Sequence, residues 1–234
     1  MKRNASVGFT LIEMLVVIAI IAVLAAFGVP ALTNALTKGQ MTGTVNNARQ
    51  LHLLGQQMAL DGATNSDPNL AWPGDYTGAA AMSRLSEYLS KLVQNNYLNA
   101  GDIQKILNAP GASCTVTGGT TAADGTFTPI TLAGTPALKV YQLRDAHSSN
   151  TIFAVTNNYT YNSPLSATGA PYADKGFIVQ RKGGDAVMLR KNQATAALAT
   201  GGDQSRFQGL VGKLVGDADG SVGTESATLV LAGN

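Results

Sequence analysis

The chain has 234 residues and only 13% of them are charged, about half the ~25% of an average soluble domain. Its 16 basic and 14 acidic residues leave a net charge of +2, with no basic cluster, which argues against nucleic acid as a partner. A single cysteine, Cys114, excludes any intrachain disulfide, so an exported fold must be held by packing or by a bound metal.

The first element is an apolar run. Lys2 and Arg3 precede a short polar stretch that ends at Gly8, and residues 14–32 are then almost wholly apolar. That is about the ~20 residues needed to cross a bilayer as a helix. Two positive charges ahead of it predict a cytoplasmic N-terminus, with the rest of the chain outside the cytoplasm. Two cleavage points are open on the residues alone: one after the apolar core, within LAAFGVPAL, and one after Gly8. Glu13 near the start and Pro30 near the end are both costly in lipid, the first as a charge and the second as a break in the helix ladder. Pro30, with Gly28 beside it, either ends the span or kinks it.

Lys2-Arg3, then Gly8 followed by Phe9-Thr10-Leu11-Ile12-Glu13 and an apolar helix, closely resembles the start of type IV prepilins and type II secretion pseudopilins. The resemblance covers roughly the first 60 residues. It implies that a prepilin peptidase cuts between Gly8 and Phe9 and methylates the new N-terminal Phe9. It also implies that Glu13 pairs with the Phe9 amine of a neighbouring subunit, with Thr10 and Leu11 helping to place that amine. An unpaired buried charge is costly, so such a pair would favour one stagger over others. Pro30 would be a kink or melted point that lets the helix pack in a filament.

A helical pattern continues over residues 33–60, where Met41, Val45, Ala48, Leu51, Leu54 and Met58 recur at intervals of three and four. Asp61-Gly62 is expected to stop it, and His52 is expected at the stripe's border, partly exposed. The turn-rich stretch at 66–78 carries Trp72 as an anchor. A second helix is expected over 79–98 and a short third one over 102–108. Residues 111–128, rich in Gly, Thr and Ala, read as an exposed loop. Strand patterns then occupy 137–143, 151–157, 176–181 and 186–190, the last two joined by a hairpin in which Gly183-Gly184 supply positive φ.

Helices first and an antiparallel sheet after make an α+β fold. By the resemblance, the long N-terminal helix lies on that sheet, as in pilins. The expected organisation is a leader at 1–8, a membrane and polymerisation helix at 9–32, a soluble half-helix at 33–61 and a periplasmic α+β domain at 62–234.

Near the end, GDADGSVGTES places Asp217 and Asp219 on a tight turn, with Glu225 able to close around a hard cation such as calcium. Major pseudopilins often bind calcium in a C-terminal loop, but their usual ligand sequence is not present, and a solvated acidic turn is the simpler expectation. Arg144, Asp145, His147 and Ser148 hold the ingredients of hydrolysis, but adjacent residues in one turn rarely form a triad; a capped turn is expected, and no catalytic residue is assigned. The expected protein is not an enzyme. It is a pseudopilin of a type II secretion pseudopilus, or alternatively a type IV pilin or minor pilin, and the absence of a C-terminal cysteine pair favours the former. A membrane-anchored binding or enzymatic domain with a borrowed leader is the rival of a different class. The expected partners are further copies, other pseudopilins, a prepilin peptidase, an inner-membrane platform protein and an assembly ATPase.

Overall fold

The computed structural model describes residues 10–231 and 233. The chain divides into two units, Met1–Gly39 and Gln40–Asn234. Helix α1 is assigned over Leu11–Asn65 and contributes to both.

In the second unit α1 buries one stripe: Met41, Val45, Ala48, Leu51 and Met58 are all at 8% exposure or less. These are the stripe positions expected from the 3–4 spacing. Gly62 does not stop the helix. It is buried within α1, and a Cβ there would lie 1.7 Å from the carbonyl oxygen of Leu70, so glycine serves a close backbone approach. The stop comes at Ser66, which takes φ +55°, while the Asp67 N–H donates to the Gly62 carbonyl at 2.9 Å. That is the Schellman closure of a helix end.

Helix α2 (Leu85–Gln94) is shorter than its pattern predicts. It begins where the Glu87 carboxylate turns back to accept the N–H groups of Ser83 and Arg84, at 2.8 and 3.1 Å, as in a capping box. Helix α3 (Ala100–Leu107) follows. The expected exposed loop at 111–128 instead contributes to two small antiparallel ladders. β1 (Cys114–Thr117) pairs with β4 (Thr131–Gly134), and β2 (Thr120–Thr121) pairs with β3 (Phe127–Thr128). Threonine and valine favour the extended backbone, and Gly118 and Gly119, at φ +82° and +73°, carry the strand around the corner between the ladders.

The main sheet is four-stranded and antiparallel in the order β5 (Leu138–Val140), β6 (Ile152–Thr156), β7 (Phe177–Arg181) and β8 (Ala186–Leu189). In the β7–β8 hairpin only Gly184 takes positive φ, at +94°. The outer edge of β5 is covered by the C-terminal segment: Gln142 N–H donates to Leu229 O and Leu231 N–H to Val140 O, both at 2.8 Å. An open strand edge is a template for unwanted pairing, and this chain closes one with its own tail.

One face of the sheet packs Phe153 and Ala154 against Ala48, Leu51 and Met58 of α1, Leu85 and Leu89 of α2 and Ile103 of α3. Each leucine, isoleucine, methionine or phenylalanine among them contributes roughly 1.5–3 kcal/mol on burial. The opposite face packs Val155, Phe177 and Val179 against Phe207 and Val211. Those two sit on α5 (Gln204–Val211), which follows α4 (Ala196–Thr200). With both faces covered, all five residues of the inner strand β6 are buried, and a β-bulge shifts its register with β7 between Ile152 and Ala154. The fold is therefore α+β, with two short helices after the sheet that the strand patterns did not announce.

Candidate assembly site

Gly8 and Phe9, the expected processing site, lie outside the described residues. The described chain opens on Thr10 and Glu13. Glu13 Oε2 accepts the Thr10 main-chain N–H at 2.8 Å and the Thr10 hydroxyl at 2.7 Å, and the Glu13 N–H donates to Thr10 Oγ1 at 3.3 Å. This is a reciprocal capping box, with Thr10 as N-cap and Glu13 three residues on. It satisfies N–H groups that a helix start otherwise leaves without partners, and it turns the carboxylate back towards the residue preceding the helix.

From Leu11 the large apolar side chains stand exposed: Leu11 is 82% exposed, Leu24 67% and Phe27 78%. Among the described residues, α1 is the one helix long and apolar enough to cross a membrane. A helix apolar on every side requires an apolar surrounding, either lipid or other helices. The helix passes through Pro30 without stopping, and the Pro30 carbonyl accepts the Thr33 hydroxyl at 2.9 Å.

The three carboxylates considered for calcium have three different partners. The Asp217 oxygens each accept the Gly223 N–H at 3.1 Å, and burial pushes the Asp217 carboxyl above its ordinary pKa. Asp219 pairs with Lys213 at 2.8 Å. Glu225 is paired with Lys139, and also accepts the Tyr141 hydroxyl at 2.6 Å and the Tyr161 N–H at 2.9 Å. Among the described residues no group of three His, Cys, Asp or Glu side chains is placed to hold a metal ion. Glu225 instead fastens the C-terminal segment to β5.

In the 144–148 turn, His147 Nδ1 accepts the Arg144 N–H at 3.0 Å. Ser148 Oγ lies 3.2 Å from Thr151 Oγ1. The histidine thus closes its own turn, and the serine's hydrogen-bond partner is a threonine. Cys114 is buried and free, and burial raises its thiol pKa, opposite to what a nucleophilic thiol needs.

His52 corrects the sequence expectation. It is 1% exposed, its Nε2 lies 2.8 Å from the Lys182 carbonyl, and its ring packs 5.7 Å from Trp72 and 5.4 Å from Phe153. Because the carbonyl can only accept, Nε2 carries the proton, and Nδ1 is buried without a partner. Trp72 itself is 4% exposed, so the turn-rich stretch is anchored over this histidine.

Comparison with known proteins places these features. Residues 5–29 match the family model described as the prokaryotic N-terminal methylation motif. The chain is 32% identical over 127 residues to the fimbrial protein EcpC of Eikenella corrodens, covering 54% of this chain and 78% of that one. It is 34% identical over 79 residues to a type IV major fimbrial protein FimA of Dichelobacter nodosus, covering 34% of this chain and 51% of FimA. A second FimA from the same organism matches at 33% over 72 residues, 31% of this chain and 46% of that protein. The alignments thus span only about half the length of the two FimA proteins. No solved structure matches the chain. The chain belongs to the type IV prepilin family.

Proposed function

We propose that this protein is the structural subunit of a surface type IV fimbria, made as a prepilin, cut between Gly8 and Phe9, methylated on Phe9 and polymerised through its N-terminal helix. The observation that carries the reading is the exposed apolar stretch after Thr10, long and apolar enough to cross a membrane. Lipid satisfies it in the free subunit, and neighbouring helices satisfy it in the filament. The names of the three relatives, all fimbrial proteins, weigh towards a surface fimbria.

In this reading residues 1–8 are the leader, 9–32 the membrane and polymerisation segment, 33–61 the soluble half-helix and 62–234 the outward domain. The N-terminus faces the cytoplasm across the inner membrane, and the domain faces the periplasm until assembly. Glu13 takes the Phe9 amine of a neighbour. In the subunit alone its carboxylate turns back onto the Thr10 N–H of its own chain. Thr10 orients it, and Pro30 is the yielding point. A prepilin peptidase, a platform protein and an assembly ATPase are the required partners. The role is architectural and calls for no catalytic centre.

A second reading is a type II secretion pseudopilin. It is favoured by Cys114 being alone and buried, so that the C-terminal segment closes on the sheet through the Glu225 contacts instead of a cystine.

Mass spectrometry of the mature protein tests the processing: a methylated Phe9 N-terminus is expected, and a retained Met1 removes the filament reading. A Glu13→Ala subunit is expected to lose filaments seen by electron microscopy while its domain melts at the wild-type temperature. Normal assembly of that variant removes the charge-pairing role. Deletion of the gene separates the two filaments. Loss of surface fimbriae with secretion intact supports the first reading, and the reverse outcome supports the second.

A further inference from the structure

The loop over residues 216–225 has the acidic, glycine-rich composition of a cation loop. We propose that in this chain the loop is closed by its own protein donors, the Gln208 amide and the Lys213 ammonium, in the position a calcium ion would take, and so is independent of calcium.

Gln208 reaches the loop from α5 and is 3% exposed. Its Nε2 donates one hydrogen to the Ala218 carbonyl and the other to the Ser221 carbonyl, both at 2.9 Å. Its Oε1 accepts the Gly220 N–H at 2.8 Å. Two main-chain carbonyls of one tight turn thus converge on a single nitrogen, as they would on a hard cation. A carboxamide suits this task because both its hydrogens are used and its oxygen holds the N–H between the two carbonyls.

The carboxylates are occupied in the same way. Lys213, whose side chain is 14% exposed, places its ammonium 2.8 Å from Asp219 Oδ1. Its main chain is fixed by Ile152 N–H donating to Lys213 O and Lys213 N–H donating to Asn150 O, each at 2.9 Å. Asp217 accepts the Gly223 N–H, and a Cβ at Gly223 would lie 2.4 Å from Asp217 Oδ1. Glu225 is held by Lys139 and Tyr141.

Calcium takes six to eight oxygen ligands at about 2.3–2.6 Å. To assemble them here it would have to expel a fully hydrogen-bonded buried amide and a lysine ammonium, the second of which repels it. The donors present therefore do not fit calcium; they replace it. The tail over residues 229–231 then stays paired to β5 whatever the calcium concentration outside the cell. The inference stands for either kind of filament.

The test is thermal unfolding of the full-length subunit in detergent, in EGTA and in excess calcium chloride. The midpoint is expected to be the same in both. Occupancy at one hundred times the dissociation constant would raise it by about 5–10 °C, and such a rise overturns the proposal. Gln208→Glu keeps the shape of the side chain but puts a carboxylate against two carbonyls. Its midpoint in EGTA is expected to fall below that of the wild type, and an unchanged midpoint overturns the proposal. If that variant does not fold, the wild-type pair of measurements decides alone.

Discussion

The two stretches of α1 on either side of Gly39 obey different rules. Over residues 11–36 large apolar side chains stand exposed around the helix, Leu11, Leu15, Ile18, Leu24 and Phe27 among them. Over residues 40–65 most apolar positions gather into one buried stripe, with Arg49, Gln50, Gln56 and Gln57 on the exposed side together with Leu53 and Leu60. The second stretch finds its apolar partners within its own domain. The apolar side chains of the first stand exposed, and in the proposed reading they are covered by lipid and then by other subunits. A substitution in one stretch should therefore register in stability, and in the other in assembly.

Leucine truncation is the sharpest way to break that contrast. Leu51→Ala removes a fully buried side chain from the core between α1, α2 and the sheet and should cost about 3 kcal/mol, lowering the melting midpoint by roughly 6–12 °C. Leu24→Ala, at a residue 67% exposed, should leave that midpoint unchanged. A fall in the midpoint of the Leu24 variant would show that the first stretch also supports the domain. Gly62→Ala comes next. The added methyl meets the Leu70 carbonyl, and overpacking of this kind costs typically 1–3 kcal/mol. Chemical denaturation of the purified variant measures it.

The helix was the most legible part of the chain, because both its stretches write their environment into residue spacing. The apolar run and the stripe from Met41 to Met58 could be placed from sequence alone. What escaped was set by contacts distant in sequence. Gly62 looks like a helix stop, and only the Leu70 backbone against it shows why glycine is there. The stretch at 111–128 reads as loop because its strands are two to four residues long and interrupted by Gly118-Gly119. The helices α4 and α5, of five and eight residues, are too short to show a clear period.

At the candidate site, Thr10 and Glu13 stand at capping-box spacing. That spacing is a helix-start signal in its own right, and it accounts for the bond Glu13 makes within its own chain. Gln208 carried no signal at all, since its role depends on carbonyls ten and thirteen residues further along the chain. Glu225 looked like a possible cation ligand, and no local pattern links it to Lys139, 86 positions away.

His52 offers the finest test of how the second stretch differs from the first. Desolvation is the larger influence and lowers its pKa, while the hydrogen bond to the Lys182 carbonyl and the charge of Asp185 oppose it. A histidine that protonates less readily folded than unfolded gives stability that is present above its unfolded pKa of about 6.5 and is lost as pH falls through the lower folded value. His147 is shifted in the same direction, chiefly by burial. Asp217 acts in the opposite direction, its pKa being raised on folding by burial. The domain should therefore unfold more easily at pH 5.5 than at pH 7.5. In His52→Gln the side chain no longer titrates, so most of that difference should disappear even if the variant is less stable at both values. Urea midpoints at the two pH values measure it. An undiminished pH difference in the variant would assign the effect to His147 and leave the His52 environment, under Trp72 and beside Phe153, as packing alone.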